Sequence, residues 1–442
     1  MYLFLILLSL GAVKASIRTV REPGPVYNCS YCQPEQIHIA FGEKTNDILV
    51  TWTTFNDTGE SRVQYGALTM DKEARGWNTQ FKDGRGQWIH RVLLKDLLFN
   101  TKYTYHCGSQ YGWSERFTFK TPPQGENWVV RAAIYGDMGT DNAHSLPYLQ
   151  DEAERDNFDL ILHVGDFAYD MYEQQSRVGD QFMRQIQPLA AIVPYMTCPG
   201  NHEENHNFSN YKERFSMPGM GSFSSMFYSW DVGPVHFVAI NTEAYYFLNY
   251  GLGPLVNQYE WLKRDLAEAN RPKNRTKRPW IVLYGHRPMY CSNDDDDDCP
   301  YEYTRLGIPL LGMFSLEPLL KDFGVDVVIW AHEHSYERTW PLYDHKVYNG
   351  TRGAYINPGA PVHVITGSAG CREKTDGFVS NPPAWSAFRS SDYGFTRFRA
   401  HNGTHLYFEQ VSVDQYGKVV DSFWILQERH GPFKNIESQS RP

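Results

Sequence analysis

The stretch Phe158-Asp159-Leu160-Ile161-Leu162-His163-Val164-Gly165-Asp166-Phe167-Ala168-Tyr169 decides the fold. An apolar run too short for a helix ends in Gly-Asp, as when a buried strand hands over to a loop. The same arrangement recurs four more times. Val129 to Tyr135 leads into Gly136-Asp137-Met138-Gly139, and Ile192 to Cys198 leads into Gly200-Asn201-His202-Glu203. Trp280 to Tyr284 precedes Gly285-His286, and Val325 to Trp330 precedes Ala331-His332-Glu333-His334. Helical patterns over Ser176 to Ala191 and Gln258 to Asn270 separate the runs, so the alternation predicts an α/β domain with a largely parallel component. Groups able to hold a metal therefore recur just past the carboxyl ends of strands, where α/β sites assemble.

Asp137, Asp166, Tyr169, Asn201, His286, His332 and His334 form a set of mixed oxygen and nitrogen donors. Seven donors are too many for one tetrahedral ion, and no thiolate stands among them, which argues against a structural zinc finger. Two metals sharing one carboxylate use such a set economically. A pair about 3.5–4 Å apart clamps the attacking and leaving oxygens of an in-line displacement.

In order and spacing these five motifs resemble the purple acid phosphatases, in the long two-domain form, over roughly residues 30 to 430. The resemblance implies two packed mixed β-sheets flanked by helices, preceded by an all-β module. It assigns Asp137, Tyr169 and His334 to a ferric ion, and Asn201, His286 and His332 to a divalent zinc or iron, with Asp166 bridging. The hard phenolate and carboxylates suit Fe(III), and the imidazole-rich set suits a divalent metal. The implied reaction is hydrolysis of phosphate monoesters at acidic pH, with metal-bound hydroxide attacking metal-coordinated phosphate. His202, beside Asn201, is the candidate hydrogen-bond donor to the phosphoryl oxygens and the candidate proton source for the leaving group. The chain departs from the plant relatives after His286: the segment Arg287 to Asn293, followed by aspartates 294 to 298, holds no histidine. A homodimer is the candidate assembly, with the oligomeric state left open by the sequence. Two alternatives stand beside this reading: a phosphodiesterase or nucleotide pyrophosphatase using the same metals, and a non-catalytic secreted glycoprotein whose β module binds a partner.

Other residues receive blander readings. Glu203, Glu204 and His206 read as supporting or surface groups, His236 as a satisfied core histidine, and the aspartate run as a solvated loop. Before the catalytic region, Ile37 to Phe41, Ile48 to Trp52, Val63 to Tyr65, Tyr103 to Tyr105 and Phe117 to Phe119 read as strands of a fibronectin type III-like sandwich with Trp52 in its core. Lys120 to Gly125 reads as the linker. The division expected is a leader over 1–15, a sandwich over 30–123, a catalytic domain over 128–345, and a segment over 355–428 that completes it. Tyr228 to Phe237 reads as a hairpin, and Val362 to Thr366 and Phe395 to Val411 supply late strands.

The 442 residues carry a formal net charge of −9 and no Lys/Arg cluster, which excludes nucleic-acid backbone binding. Leu3 to Val13 is an apolar run followed by Lys14-Ala15, as at a signal-peptidase site, and too short to span a bilayer. The polar end at Glu437 to Ser440 offers no lipid-anchor tail. Asn28, Asn56, Asn207, Asn274, Asn349 and Asn402 each open an Asn-x-Ser/Thr sequon. Together these predict a secreted protein, with the lysosome as the other destination. Of the 7 cysteines, Cys291 and Cys299 flank the acidic loop and form the preferred disulfide, ahead of Cys29 and Cys32. Cys198 reads as a buried free thiol.

Overall fold

The computed structural model describes residues 29–219, 225–294, 299–308 and 312–433. The expected leader and Asn28 lie outside that range.

Two β-sheets form the catalytic body. The first runs in the order 195–198, 160–164, 130–135, 394–402, 405–412 and 418–426. Its first three strands are parallel and the last three join antiparallel. The second runs in the order 228–232, 235–239, 280–284, 327–330, 362–366, 336–339 and 386–390, with four parallel strands at its centre. The continuous apolar runs have a direct explanation here. Trp280, Val282 and Tyr284 point into the core shared by both sheets, whereas Ile281 and Leu283 point to the core under the helices Gly253–Ala269 and Leu316–Phe323. A strand buried on both faces has no polar alternation to show.

The sheets approach closely where the site forms. Gly136 N–H donates to Thr366 O at 2.9 Å. A β-carbon on Gly136 would lie 2.4 Å from that of Ala331, so only glycine fits this crossing.

Several boundaries differ from the sequence reading. Strands begin at Leu160, Tyr195 and Val327, not at Phe158, Ile192 and Val325. Asp159 and Asp326 explain two of these late starts. Each carboxylate accepts from a backbone N–H and from an arginine, Arg131 and Arg275 respectively, and so caps the strand from a loop. The helix expected from Ser176 runs over Glu173–Ala190, with Gln174, Gln175 and Ser176 at positive φ. The other expected helix starts earlier, over Gly253–Ala269. The 395–411 run is a hairpin turning near Gly403, and the strands Tyr336–Thr339, Ser386–Ser390 and Lys418–Leu426 are additional.

The sandwich holds a sheet ordered 35–41, 48–54, 88–94, 77–80, and another ordered 72–75, 62–66, 102–109, 112–113, with 117–120 pairing 102–109. All of its pairings are antiparallel. Trp52 is buried and stacks on His90, with ring centroids 5.0 Å apart. The apolar core runs from the sandwich into the catalytic body without a break. A polar knot also ties them: buried Asp180 accepts from Arg214, Gln36, Gln87 and Arg85, three of which belong to the sandwich. This fits a packing platform for the module.

Cys291–Cys299 and Cys29–Cys32 are disulfides, and Cys107, Cys198 and Cys371 are buried thiols. Among the described residues no helix is long and apolar enough to cross a membrane.

Candidate metal centre

Asp137, Asp166 and Tyr169 all have positive φ, at 57°, 51° and 54°, on the turns that leave the first and second parallel strands. Such turns aim a side chain back across the strand ends. Asn201 opens the short 3₁₀ turn after Cys198. Glu203 organises this corner: its carboxylate accepts from the backbone N–H groups of Asp166, Phe167 and Gly200 at 2.9, 3.1 and 2.9 Å. It is a structural hub, a role that sequence reading left among supporting or surface groups. His286, His332 and His334 arrive from the other sheet.

Two donor groups result. In the first, His286 Nδ1 faces Val164 O at 2.9 Å. A carbonyl can only accept, so a proton sits on Nδ1 and Nε2 faces the cluster. Around Nε2 stand Asn201 Oδ1 at 3.0 Å, Asp166 Oδ2 at 3.2 Å and His332 Nδ1 at 3.2 Å. This gathering of oxygen and nitrogen groups around a buried carboxylate calls for positive charge, which an imidazolium proton or a metal ion supplies. Burial pulls His286 down, but Asp166 and Asp137 outweigh it and hold the imidazole at about 10. That shift expresses the same demand for positive charge.

In the second group, His334 Nδ1 donates to Lys374 O at 3.0 Å, leaving Nε2 2.7 Å from the Tyr169 hydroxyl. Asp137 Oδ1 lies 3.3 Å from that hydroxyl. One phenolic proton faces two acceptors, His334 Nε2 and Asp137 Oδ1. Burial first, then the Asp137 and Asp166 charges, push the Tyr169 phenol well above its ordinary range. A phenolate therefore forms here only in the field of a metal. The groups are linked by His332 N–H donating to Asp137 Oδ2 at 2.9 Å. All seven predicted side chains thus fall into these two adjoining clusters, and the donor types fit two metal ions.

His202 lies beside them. Its Nδ1 meets Asp170 Oδ1 at 3.0 Å, and its Nε2 lies 3.9 Å from Asp166 Oδ2 and 4.0 Å from Glu373 Oε1. Burial lowers its pKa, but Asp166 and Asp170 more than reverse this and raise it to about 9, so the ring is protonated throughout the acidic range. Asp170 Oδ2 is held in turn by Arg372 at 3.0 Å.

The side chains open on a cleft of about 340 Å³ lined by Asp166, Asn201, His202, His332, Glu333, His334, Glu373 and Asp376. A larger hollow of about 760 Å³ lies at the seam with the sandwich and contains none of these residues. Asp170, Glu373, Asp376 and Cys371, whose sulfur is 3.4 Å from His334 Nδ1, went unpredicted. Asp170 could have been suspected from its place beside Tyr169, whereas nothing in the local sequence singles out the 371–376 loop. Arg287 also emerges: it pairs with buried Glu243 at 2.8 Å, and its NH1 is 3.1 Å from His332 Nε2. His236 bridges Asp231 and Asp265 at 2.7 and 3.0 Å, remote from the cleft.

Comparison with known proteins gives three matches along the chain. Residues 34–121 match the purple acid phosphatase N-terminal domain, 130–336 the calcineurin-like phosphoesterase domain, and 360–422 the iron/zinc purple acid phosphatase-like protein C domain. The acid phosphatase type 7 of Danio rerio is 54% identical over 90% of this chain and 93% of its own length. Its Homo sapiens counterpart is 48% identical over 90% and 92%. Among solved structures, a purple acid phosphatase from yellow lupin seeds superposes with a TM-score of 0.76 at 27% identity, covering 89% of this chain and 74% of that one.

Proposed function

The chain belongs to the purple acid phosphatase family, and from that premise we propose how its residues divide the work of hydrolysing phosphate monoesters at a dinuclear metal centre. It is an acid phosphatase. In the proposed division, Asp137, Tyr169 and His334 hold a ferric ion, Asn201, His286 and His332 hold a divalent zinc or iron, and Asp166 bridges. The observation that carries the reading is the convergence of Asn201 Oδ1, Asp166 Oδ2 and His332 Nδ1 on His286 Nε2 within 3.0–3.2 Å, with Asp137, Tyr169 and His334 gathered beside them. When bound, the metals supply Lewis acidity and an activated nucleophile.

The chain's own groups do the rest. Val164 O and Lys374 O fix the tautomers of His286 and His334, so each presents its Nε2 inward. Glu203 locks the Asp166 turn through three N–H groups. His202, oriented by Asp170, holds a proton on Nε2 at the mouth of the cleft and delivers it to the departing alcohol. With no histidine in the 287–293 segment, the acid role in this proposal goes to His202.

We extend the reading to the whole molecule. Residues 30–123 form a supporting module, 128–345 the catalytic domain, and 355–428 the segment that completes it. The protein is secreted, with glycans at Asn28, Asn56, Asn207, Asn274, Asn349 and Asn402; Asn56, Asn207, Asn349 and Asn402 are exposed and Asn274 is half-buried. A homodimer in this chain is non-covalent, because every cysteine is either paired or buried.

The test is metal analysis, a visible spectrum and p-nitrophenyl phosphate turnover at acidic pH on protein from a secretory host. Two metals per chain, a visible band and turnover are expected, and Tyr169→Phe removes the band. A Tyr169→Phe protein that keeps its colour, or wild-type protein that folds without metal, overturns the assignment.

A further inference from the structure

The walls of the cleft carry an uneven charge. Glu373 and Asp376 line it, both from the loop after Cys371, yet neither belongs to the proposed ligand set. Asp376 is occupied as acceptor for the His334 N–H. Glu373 is not so bound: its side chain is 47% exposed, and its Oε1 stands 4.0 Å from His202 Nε2. Among the described residues no lysine or arginine lines the cleft. The adjacent arginines carry their own carboxylate partners, Arg287 with Glu243 at 2.8 Å, from where its NH1 also reaches His332, and Arg372 with Asp170 at 3.0 Å.

A phosphoryl group held between the two donor sets directs its ester oxygen toward His202 Nε2, the proton source. The alcohol beyond that oxygen then runs along Glu373. We propose that this wall selects the leaving group: the site favours phosphate monoesters of cationic alcohols, with an ammonium group placed a few bonds from the ester oxygen, and Glu373 is the counter-charge. This rests on the monoesterase reading given above. A positive charge about 6 Å from a carboxylate, at an effective dielectric of about 40, changes an equilibrium by about tenfold. The same wall disfavours a second anion close to the ester, as in pyrophosphates and bisphosphates.

The experiment compares choline phosphate with its uncharged isostere 3,3-dimethylbutyl phosphate on the metal-loaded full chain, with p-nitrophenyl phosphate as the control for function. In the wild type, kcat/KM for the cationic ester should exceed that for the neutral one by about tenfold at low salt, shrinking in about 0.5 M salt. Glu373→Gln should bring that ratio close to one, and Glu373→Lys should invert it. Taking the ratio cancels effects on metal binding or on His202, which touch both esters alike. A wild-type ratio near one, or a ratio unchanged by both substitutions, overturns the proposal while p-nitrophenyl phosphate turnover leaves the monoesterase reading standing. Metal-loaded protein inactive on all three esters overturns that reading itself.

Discussion

Asp170→Asn isolates the proton-delivery step. Asp170 sits at φ 77°, a conformation that asparagine adopts as readily as aspartate, so the backbone should not object. Asp170 uses Oδ1 for His202 and Oδ2 for Arg372; asparagine keeps one oxygen, which can accept from His202 Nδ1, turns its amide NH2 toward Arg372, and removes the charge that both contacts use. A hydrogen bond to a charged partner contributes about 1.5–3 kcal/mol, against about 1 kcal/mol for a neutral one. The protonated His202 therefore loses about 1–2 kcal/mol of support, or about 5–30-fold in its capacity to hold and present a proton. Leaving groups differ in how much they need that proton. An alkyl alkoxide needs it in full, whereas p-nitrophenolate departs nearly unaided. The expected result is a kcat loss of about 5–30-fold on an alkyl phosphate and under about threefold on p-nitrophenyl phosphate. The basic limb of the alkyl-ester profile should also move toward acid by about one pH unit, since His202 is held up at about 9 partly by Asp170. Steady-state kinetics with both esters across pH decides it. Equal losses on the two esters, with metal content unchanged, would refute His202 as the acid positioned by Asp170.

Two further outcomes are expected. His38 is buried between two carbonyls, Gln36 O and Arg214 O, each 2.9 Å from a ring nitrogen; burial first, and the Arg91 and Arg214 charges with it, pull it down to about 4 despite those bonds. A folded value below the unfolded 6.5 means stability present above 6.5 and lost as pH falls toward 4; between pH 7 and 5 this is about 2 kcal/mol, and His38→Gln should flatten the corresponding fall in thermal midpoint, whereas parallel curves would refute the assignment. Gly200→Ala tests space alone, because Gly200 has extended backbone (φ −111°), yet a β-carbon there would lie 2.2 Å from Asp166 Oδ1; metal retention against a chelator should fall at least about tenfold, and unchanged retention would show that Asp166 is not held where the structure has it.

The ligand candidates were legible because each follows a short apolar run, and a strand buried on both faces must read that way. Trp280 to Tyr284 and Val327 to Trp330 did so, since their alternate residues face two different cores. The strand starts were less legible, because Asp159 and Asp326 end their strands through contacts with arginines that no local pattern announces. The long-range partners were not legible at all. Gln36 meets Asp180 across 144 residues of sequence, and the 371–376 loop reaches the cleft because it leaves strand 362–366, which lies beside 327–330, and because Cys371 N–H donates to Met138 O. Glu203 shows the intermediate case: it was visible next to a candidate ligand, but its three backbone partners come from two loops and appear only in three dimensions.

Each proposed metal straddles the line where the two sheets meet. One takes Asp137 and Tyr169 from the first sheet and His334 from the second; the other takes Asp166 and Asn201 from the first and His286 and His332 from the second. Occupancy and folding are therefore thermodynamically linked. An ion that binds only the assembled halves stabilises that assembly by about 4 kcal/mol when its free concentration is about a thousand times its dissociation constant. Metal supply during biosynthesis then governs yield as well as turnover, and a chelator acts on this enzyme partly as a denaturant.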